Sequence, residues 1–166
     1  MAESTIYYES DLRERRWAHG SLADEWFEQY PQLFDDRDLC IVHNQLPLHF
    51  GEWYTAITLF EKDGAVSLVE KYDQESSHPR KFARYASVFD MDVRRALADI
   101  CKSFKGQLPD LLVIATDGRI SFSEVKLTTV RSHDSLSREH ALMHEAIRRL
   151  GIPVDVIRVK PQPSPV

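Results

Sequence analysis

The sequence predicts an α/β fold in which a mixed β-sheet is flanked by helices. A continuous apolar run at 111–115 is followed by a turn and by the alternating segment 120–126, which predicts a β-hairpin. Apolar residues recur at helical spacing in 52–60, 92–104 and 136–150. Because helical and strand patterns are interspersed along the chain, we expect helices to cover the faces of the sheet.

The composition favours one well-cored domain. The chain has 166 residues, of which 43% are apolar, which is enough for the core of one domain but hardly for the cores of two. No apolar run approaches the length of a membrane span, and the first residues lack the basic and apolar regions of a signal peptide. We therefore expect a cytoplasmic protein without membrane contact. Cys40 and Cys101 are too few for a disulfide framework and are expected to be buried thiols.

The charge is unevenly distributed. The net charge of −5 argues against a nucleic-acid partner at first. However, residues 1–50 contain 10 acidic and 4 basic side chains, whereas residues 51–166 contain 16 acidic and 17 basic ones. Segment 76–105 is rich in basic residues, namely Arg80, Lys81, Arg84, Arg94, Arg95, Lys102 and Lys105. The part of the chain that carries the candidate site is therefore not acidic.

Three charged residues of the predicted hairpin have the chemistry of a metal site. Asp110 precedes the first strand, and Glu124 and Lys126 share one face of the second, about 6.6 Å apart. Two carboxylates about 4 Å apart repel by roughly 4 kcal/mol at an effective dielectric near 20, and a divalent cation removes that cost. Hard oxygen ligands favour Mg²⁺ or Mn²⁺ over zinc, and Lys126 could hold a water or stabilise phosphate charge. The alternative is an ordinary hairpin with exposed charges.

The register of the hairpin decides whether the two acids meet. A two-residue turn would place Asp110 opposite Val125, facing away from Glu124. A three-residue loop over 116–118, closed by Gly118 in the left-handed region, would place Asp110 opposite Glu124. We expect the second register, because a shared metal needs both carboxylates on one side. A distortion near Asp110 would serve equally well.

Two helical residues are further candidates. Glu52 lies in the first turn of a helix, where it either complements the positive helix end or supplies a third acid to the metal. His140 lies one turn into the helix that follows the second strand, so it should lie near the acidic end of the hairpin. It belongs to a stripe at helical spacing that is expected to be buried, formed by Leu136, His140, Met143, Ile147 and Leu150. A lone histidine in such a stripe is more often a core residue.

A basic helix start is the candidate substrate contact. Ser77, His78 and Pro79 predict a helix beginning, and Arg80, Lys81 and Arg84 fall in its first two turns. Cations there are unfavourable beside the positive end of the helix dipole. Either a bound phosphate or solvation by water must compensate for this repulsion.

The two ends of the chain are assigned separately from the candidate site. Residues 1–45 form an acidic N-terminal helical segment, with a helix near 24–30 that ends at Pro31. This segment serves packing or partner contact, or is simply a solvated helix. Residues 128–133 predict a polar loop, and 161–166 a proline-rich, frayed tail.

Several segments together resemble the VRR-NUC branch of the PD-(D/E)xK nucleases. They are Pro109-Asp110, Glu124-Val125-Lys126, 134–140 and 151–159, with further likeness to stand-alone bacterial and phage members in 52–57, 69–72 and 78–81. The resemblance covers about residues 46–160 and leaves 1–45 unassigned.

The resemblance implies a restriction-endonuclease-like core and Mg²⁺- or Mn²⁺-dependent hydrolysis of DNA phosphodiesters. Asp110 and Glu124 match the metal-binding acids of the family, Lys126 matches its catalytic lysine, and Glu52 its helical acid. The family usually has Gln at the position of His140 and a shorter loop than 127–133. His140 would then donate to phosphate as Gln does, or carry a proton.

The expected function is therefore that of a DNA endonuclease. Relatives include junction-resolving dimers, a repair nuclease and toxins, so structure-selective cleavage of junctions or flaps and a DNA-damaging toxin role both follow from the resemblance. Arg80, Lys81 and Arg84 would track the DNA backbone. A homodimer, or an immunity protein bound by the acidic N-terminal segment, would be the partner, and a toxin would act in another cell. The rival is a non-catalytic module that binds nucleic acid or protein, and RNA cleavage is a third alternative.

Overall fold

The fold is an α/β sandwich built on one five-stranded mixed sheet. A computed structural model of the chain describes residues 2–129 and 134–163. Most of the predicted loop 128–133 and the last three residues of the predicted tail lie outside the described residues. The strands are β1 (Glu3–Tyr8), β2 (Val66–Val69), β3 (Leu111–Ile114), β4 (Ile120–Leu127) and β5 (Val154–Pro161). The α-helices are α1 (Ser21–Gln29), α2 (Asp36–Asn44), α3 (Phe50–Asp63), α4 (Pro79–Val88), α5 (Met91–Ser103) and α6 (Arg138–Arg149), with a π-helix at Leu12–Trp17 and a 3₁₀ turn at Leu46–Leu48.

The strand order is β1-β5-β4-β3-β2. The pairs β1–β5 and β5–β4 are parallel, whereas the pairs β4–β3 and β3–β2 are antiparallel. The expected fold class, a mixed sheet flanked by helices, is confirmed at this level. The expected helices near 50–60, 79–85 and 92–104 also form, each within a few residues of its predicted bounds.

Two apolar layers cover the two faces of the sheet. Alternation along the strands sends Leu111 and Val125 to the layer shared with α1 and α3. It sends Leu112 and Phe122 to the layer formed with α4, α5 and α6. Because apolar layers cover both faces of β3 and β4, polar side chains of these strands are expected at the end of the hairpin, where they are only partly exposed to water.

The β3–β4 loop has the predicted three-residue form. The amide of Ala115 donates to the carbonyl of Arg119 at 2.9 Å, and that of Gly118 donates to the carbonyl of Ala115 at 2.9 Å. Gly118 has φ +87°, which a glycine adopts without strain. The loop fixes the register Leu111 opposite Ser123.

The first 45 residues differ from the expected helical extension. They contain α1, where a helix was expected, and α2, but they also contribute β1, which pairs in parallel with β5 along its whole length. Tyr8, Trp17 and Trp26 are buried in the same apolar layer as α3. The reason is non-local: a short, half-exposed edge strand is stabilised only by a partner about 150 residues later, which local patterns do not indicate.

The middle of the expected stripe on α6 is buried, but its ends are not. Met143 and Ile147 are buried, but Leu150 is 43% exposed beyond the last helical residue. His144 is fully buried instead. The two thiols also differ from expectation, since Cys40 is exposed and Cys101 is half-buried. None of the helices within the described residues is long and apolar enough to cross a membrane.

Candidate metal centre

Asp110 and Glu124 meet at the open end of the β3–β4 hairpin. The regular pairing ends at Leu111 opposite Ser123, so Asp110 follows directly at the end of the ladder next to Glu124, close enough for the Glu124 charge to act on its carboxyl. The Asp110 carboxylate accepts a hydrogen bond from the amide of Val125 at 2.8 Å. Its own carbonyl accepts one from the amide of Glu70 at 2.8 Å. The backbone therefore holds Asp110 between β4 and the chain that leaves β2.

Lys126 lies beside Glu124 on the same face of β4. Its ammonium is 3.3 Å from the Glu124 Oε1 atom and 3.7 Å from the Asp134 Oδ2 atom. The side chains of Glu124 and Lys126 are 8% and 9% exposed, which is unusual for charged residues unless they are paired. An acid and a base are thus kept together in a site from which bulk water is largely excluded.

Glu52 reaches this site from α3, on the other side of the sheet. The preceding residue, Gly51, allows the close approach, because a Cβ atom there would lie 3.2 Å from Val125 Cγ1. The Oε2 atom of Glu52 is inaccessible to solvent and has no hydrogen-bond partner among the described residues. Burial, and then the negative charges of Asp110 and Glu70, raise the pKa of Glu52 well above its usual value.

The pKa values of the hairpin acids are split. Burial and the neighbouring Glu124 charge raise the pKa of Asp110 well above its ordinary value. Burial also acts to raise the pKa of Glu124, but the ring of His144 and the ammonium of Lys126 outweigh it, so that pKa is lowered. Glu124 is thus ionised first. The other carboxyls need a proton or a cation to offset their charge.

Two histidines of α6 contact Glu124. The His140 Nδ1 atom is 3.8 Å from Glu124 Oε1, and the His144 Nε2 atom is 3.5 Å from Glu124 Oε2. His140 is therefore near the acids, as expected, whereas sequence reasoning missed His144. The signal was present, since residues four apart lie on the same helix face.

His49 and Glu70 were also missed. One ligand atom from each of His49, Glu52 and Glu70 lies within 4.8 Å of the others, a spacing compatible with a shared ion. Strand β2 ends at Val69, and Glu70 begins a turn with φ +47°. No local pattern shows that this turn brings Glu70 to the start of α3.

Lys81 does not have the expected role in contacting substrate. It is 5% exposed. Its ammonium is paired with the buried carboxylate of Asp38 and donates to the carbonyls of Val69 and Glu70 at 2.6 and 2.9 Å. The positive charge of Lys81 at the helix start is therefore neutralised by groups inside the protein and needs no phosphate. Arg80 and Arg84, by contrast, are exposed on α4 and remain candidates for substrate contact.

Three carboxylates supply oxygen donors around the end of the hairpin. Glu52, Asp110 and Glu124 offer carboxylate oxygens, and the unpartnered Oε2 atom of Glu52 is an acceptor without a donor among the described residues. Searches of family models, curated proteins and solved structures gave no match to this chain. The resemblance to the VRR-NUC nucleases therefore rests on the motifs and on their chemistry.

Proposed function

We propose that this protein is a metal-dependent DNA endonuclease of the VRR-NUC type, with a restriction-endonuclease-like core. The observation that carries the proposal is the meeting of Asp110, Glu124 and Lys126 at one end of the hairpin. Two acids and a lysine in this arrangement match the motif that the family uses to hydrolyse phosphodiesters. The buried, unpartnered oxygen of Glu52 supports the proposal, because a nearby cation would neutralise it and the charges of Asp110 and Glu124 act on the same carboxyl.

The three carboxylates would hold Mg²⁺ or Mn²⁺, which supplies charge stabilisation at the scissile phosphate and a water of lowered pKa. Asp110 is fixed for this task by the Val125 amide, and Glu124 is kept ionised by its neighbours. Lys126 would then orient the attacking water or stabilise the charge that develops on the phosphate. Its position beside Glu124 keeps the ammonium within reach of a ligand of the same ion.

The α6 histidines have different roles in this proposal. The side chain of His140 is 42% exposed, so it can donate to a phosphate of the bound strand. His144 has no such access; its ring lies 3.5 Å from the Glu124 carboxylate, where it helps to lower the pKa of that acid. The DNA backbone would be contacted by Arg80 and Arg84, which are exposed on α4.

The test is a cleavage assay on supercoiled, flap and four-way-junction DNA, and on RNA, with Mg²⁺, Mn²⁺ or a chelator. We expect cleavage of DNA that requires a divalent ion and is lost in Lys126→Met. The matched control is Lys102→Met, which removes an exposed lysine from α5 and should cleave like the wild type. If the folded protein cuts no substrate with either ion, the proposal fails and a non-catalytic binding module takes its place. If only RNA is cleaved, the protein is a ribonuclease and the proposed DNA substrate is wrong.

A further inference from the structure

We infer that His49, Glu52 and Glu70 form a second cation site, beside the first, that takes a first-row transition-metal ion such as Mn²⁺ in preference to Mg²⁺. The catalytic use of this site rests on the proposed function, but its metal binding does not. Glu52 would be common to both sites. One carboxylate bridging two ions is the arrangement found in two-metal phosphodiesterases, where the ions lie about 3.5–4 Å apart.

The spacing of the three ligand atoms suits one ion. They lie within 4.8 Å of one another. Ligands at about 2.1 Å from a metal are at most about 4.2 Å apart when they lie on opposite sides of it. Rotamer adjustments of a few tenths of an ångström would therefore close the coordination sphere.

The hydrogen bonds of His49 leave the correct nitrogen free for a metal. Its Nε2 atom faces the Gln45 side-chain oxygen at 3.0 Å and therefore carries the hydrogen. Its Nδ1 atom then directs a lone pair at the Glu70 Oε2 atom, 3.1 Å away. Two acceptors at this distance need a proton or a metal ion between them. A histidine that ligates a metal commonly donates its other N–H to a carbonyl in this way.

The third ligand is independently short of a partner. The Glu52 Oε2 atom is shielded from solvent and accepts no hydrogen bond from the described residues. Such an atom is costly in a folded protein unless something neutralises it. The negative charges of Asp110 and Glu70 nearby add to that cost.

Glu70 is held rigidly for this role. Its amide donates to the Asp110 carbonyl, and its own carbonyl accepts from the buried ammonium of Lys81. Glu70 and Lys71 both adopt left-handed backbone angles, with φ of +47° and +52°, which non-glycine residues adopt only when the surroundings impose them. The Lys81–Asp38 pair therefore positions a ligand rather than a substrate.

The imidazole sets the preference for the ion. Carboxylate-only sites suit Mg²⁺, whereas a site with a histidine nitrogen suits Mn²⁺, Co²⁺ or Zn²⁺ better. The site formed by Asp110, Glu124 and Glu52 is of the first kind, and the site formed by His49, Glu52 and Glu70 is of the second. The protein should thus bind Mn²⁺ with a nitrogen ligand that Mg²⁺ does not require.

The test uses the full chain stripped of metal and loaded with Mn²⁺. Electron spin echo envelope modulation detects nitrogen bound directly to the ion. We expect a nitrogen signal in the wild type that is lost in His49→Gln and kept in the matched variant His140→Gln. No nitrogen signal in the wild type, its persistence in His49→Gln, or its loss in His140→Gln would overturn the inference.

A second variant covers the case in which His49→Gln does not fold. Glu70→Gln keeps the size of the side chain, and we expect its Mn²⁺ affinity to fall about tenfold or more, with Mg²⁺ affinity changed less than about twofold. Equal effects on both ions would overturn the inference. Cleavage measured on the same preparations separates the two proposals. A nitrogen signal without cleavage upholds the second site and refutes the nuclease, and cleavage without a nitrogen signal does the reverse.

Discussion

At the scale of single residues, Glu52 has a stability cost in the metal-free protein that its proposed role as a metal ligand would offset. Burial and neighbouring negative charges raise its pKa above its value in the unfolded chain, so the folded state binds the proton more tightly. The ionised carboxylate therefore destabilises the metal-free protein above the folded-state pKa. That cost disappears as pH falls towards the unfolded-state pKa.

A Glu52→Gln variant tests this directly. Without metal, we expect it to be more stable than the wild type at pH 8, by on the order of 1 kcal/mol, and to lose that advantage near pH 5. Urea unfolding at the two pH values measures the difference. A variant that is less stable at pH 8, or equally affected at both values, would mean that Glu52 is satisfied in the folded protein.

His144 is the residue whose role follows most directly from its contact. It is fully buried, and its Nε2 atom is 3.5 Å from a Glu124 oxygen. Replacing it with Leu should raise the Mg²⁺ concentration for half-maximal cleavage about tenfold, because Glu124 loses the group that positions it. The ring contacts Glu124 only at 3.5 Å and Leu fills a similar apolar space, so thermal stability should change little. A large loss of stability with unchanged metal dependence would assign His144 to the core instead.

Which residues the sequence could indicate depended on distance along the chain. Asp110, Glu124 and Lys126 belong to one hairpin, and period-two alternation with a turn was enough to bring them together. His49 and Glu70 come from different elements, and their contact depends on a turn with left-handed angles that no local pattern indicated. Lys81 was misassigned because its partner Asp38 lies on another helix.

At the scale of elements, α4 shows that a basic residue in the first turn of a helix can be neutralised inside the protein. Asp38 and Lys81 are a buried ion pair, and burial raises the pKa of Asp38 to about 6 although Lys81 opposes the shift. Because this folded pKa lies above the unfolded value, ionised Asp38 costs stability above about pH 6, and the cost disappears as pH falls towards 4. Removal of Lys81 should enlarge that cost.

We expect Lys81→Met to destabilise the protein by about 3 kcal/mol at pH 8, and by less at pH 5, because it leaves a buried carboxylate unpaired. The matched variant Arg80→Met removes the adjacent, exposed cation and should change stability by less than about 0.5 kcal/mol. Thermal melts at both pH values measure these effects. Equal, small effects of the two variants would show that Lys81 behaves as an exposed residue and not as the partner of a buried carboxylate.

The β3–β4 hairpin was the most predictable element, because Gly118 restricts the choice of loop and the loop fixes the register. Helix α6 was less so. Its predicted apolar stripe was drawn through Leu136 and Leu150, but the helix extends only over Arg138–Arg149. Ser137, which caps the helix by accepting from the His140 amide at 3.1 Å, sets that start.

At the scale of the whole molecule, the N-terminal segment is part of the sheet. Strand β1 covers one edge of β5, and Tyr8 and Trp17 are 1% and 2% exposed in the core. The fold class followed from local patterns alone. The position of β1 did not, because its pairing spans nearly the whole chain and depends on side chains brought together only by folding.

A truncation to residues 46–160, the region covered by the family resemblance, should therefore not fold independently. Loss of β1 exposes an edge of β5, and loss of the buried aromatic residues opens the layer over α3. Circular dichroism and amide exchange on the truncated and full chains would measure this. A cooperatively folded 46–160 fragment would show instead that residues 1–45 are dispensable for folding.

The most direct test of the central claim is anomalous diffraction from crystals of the full chain soaked in Mn²⁺. The claim predicts a peak bound by carboxylate oxygens of both Asp110 and Glu124, at distances of about 2.0–2.6 Å. It also predicts that this peak is absent in Asp110→Asn crystals soaked in the same way. A well-ordered site in which Asp110 and Glu124 share no ion at high Mn²⁺ concentration would contradict it.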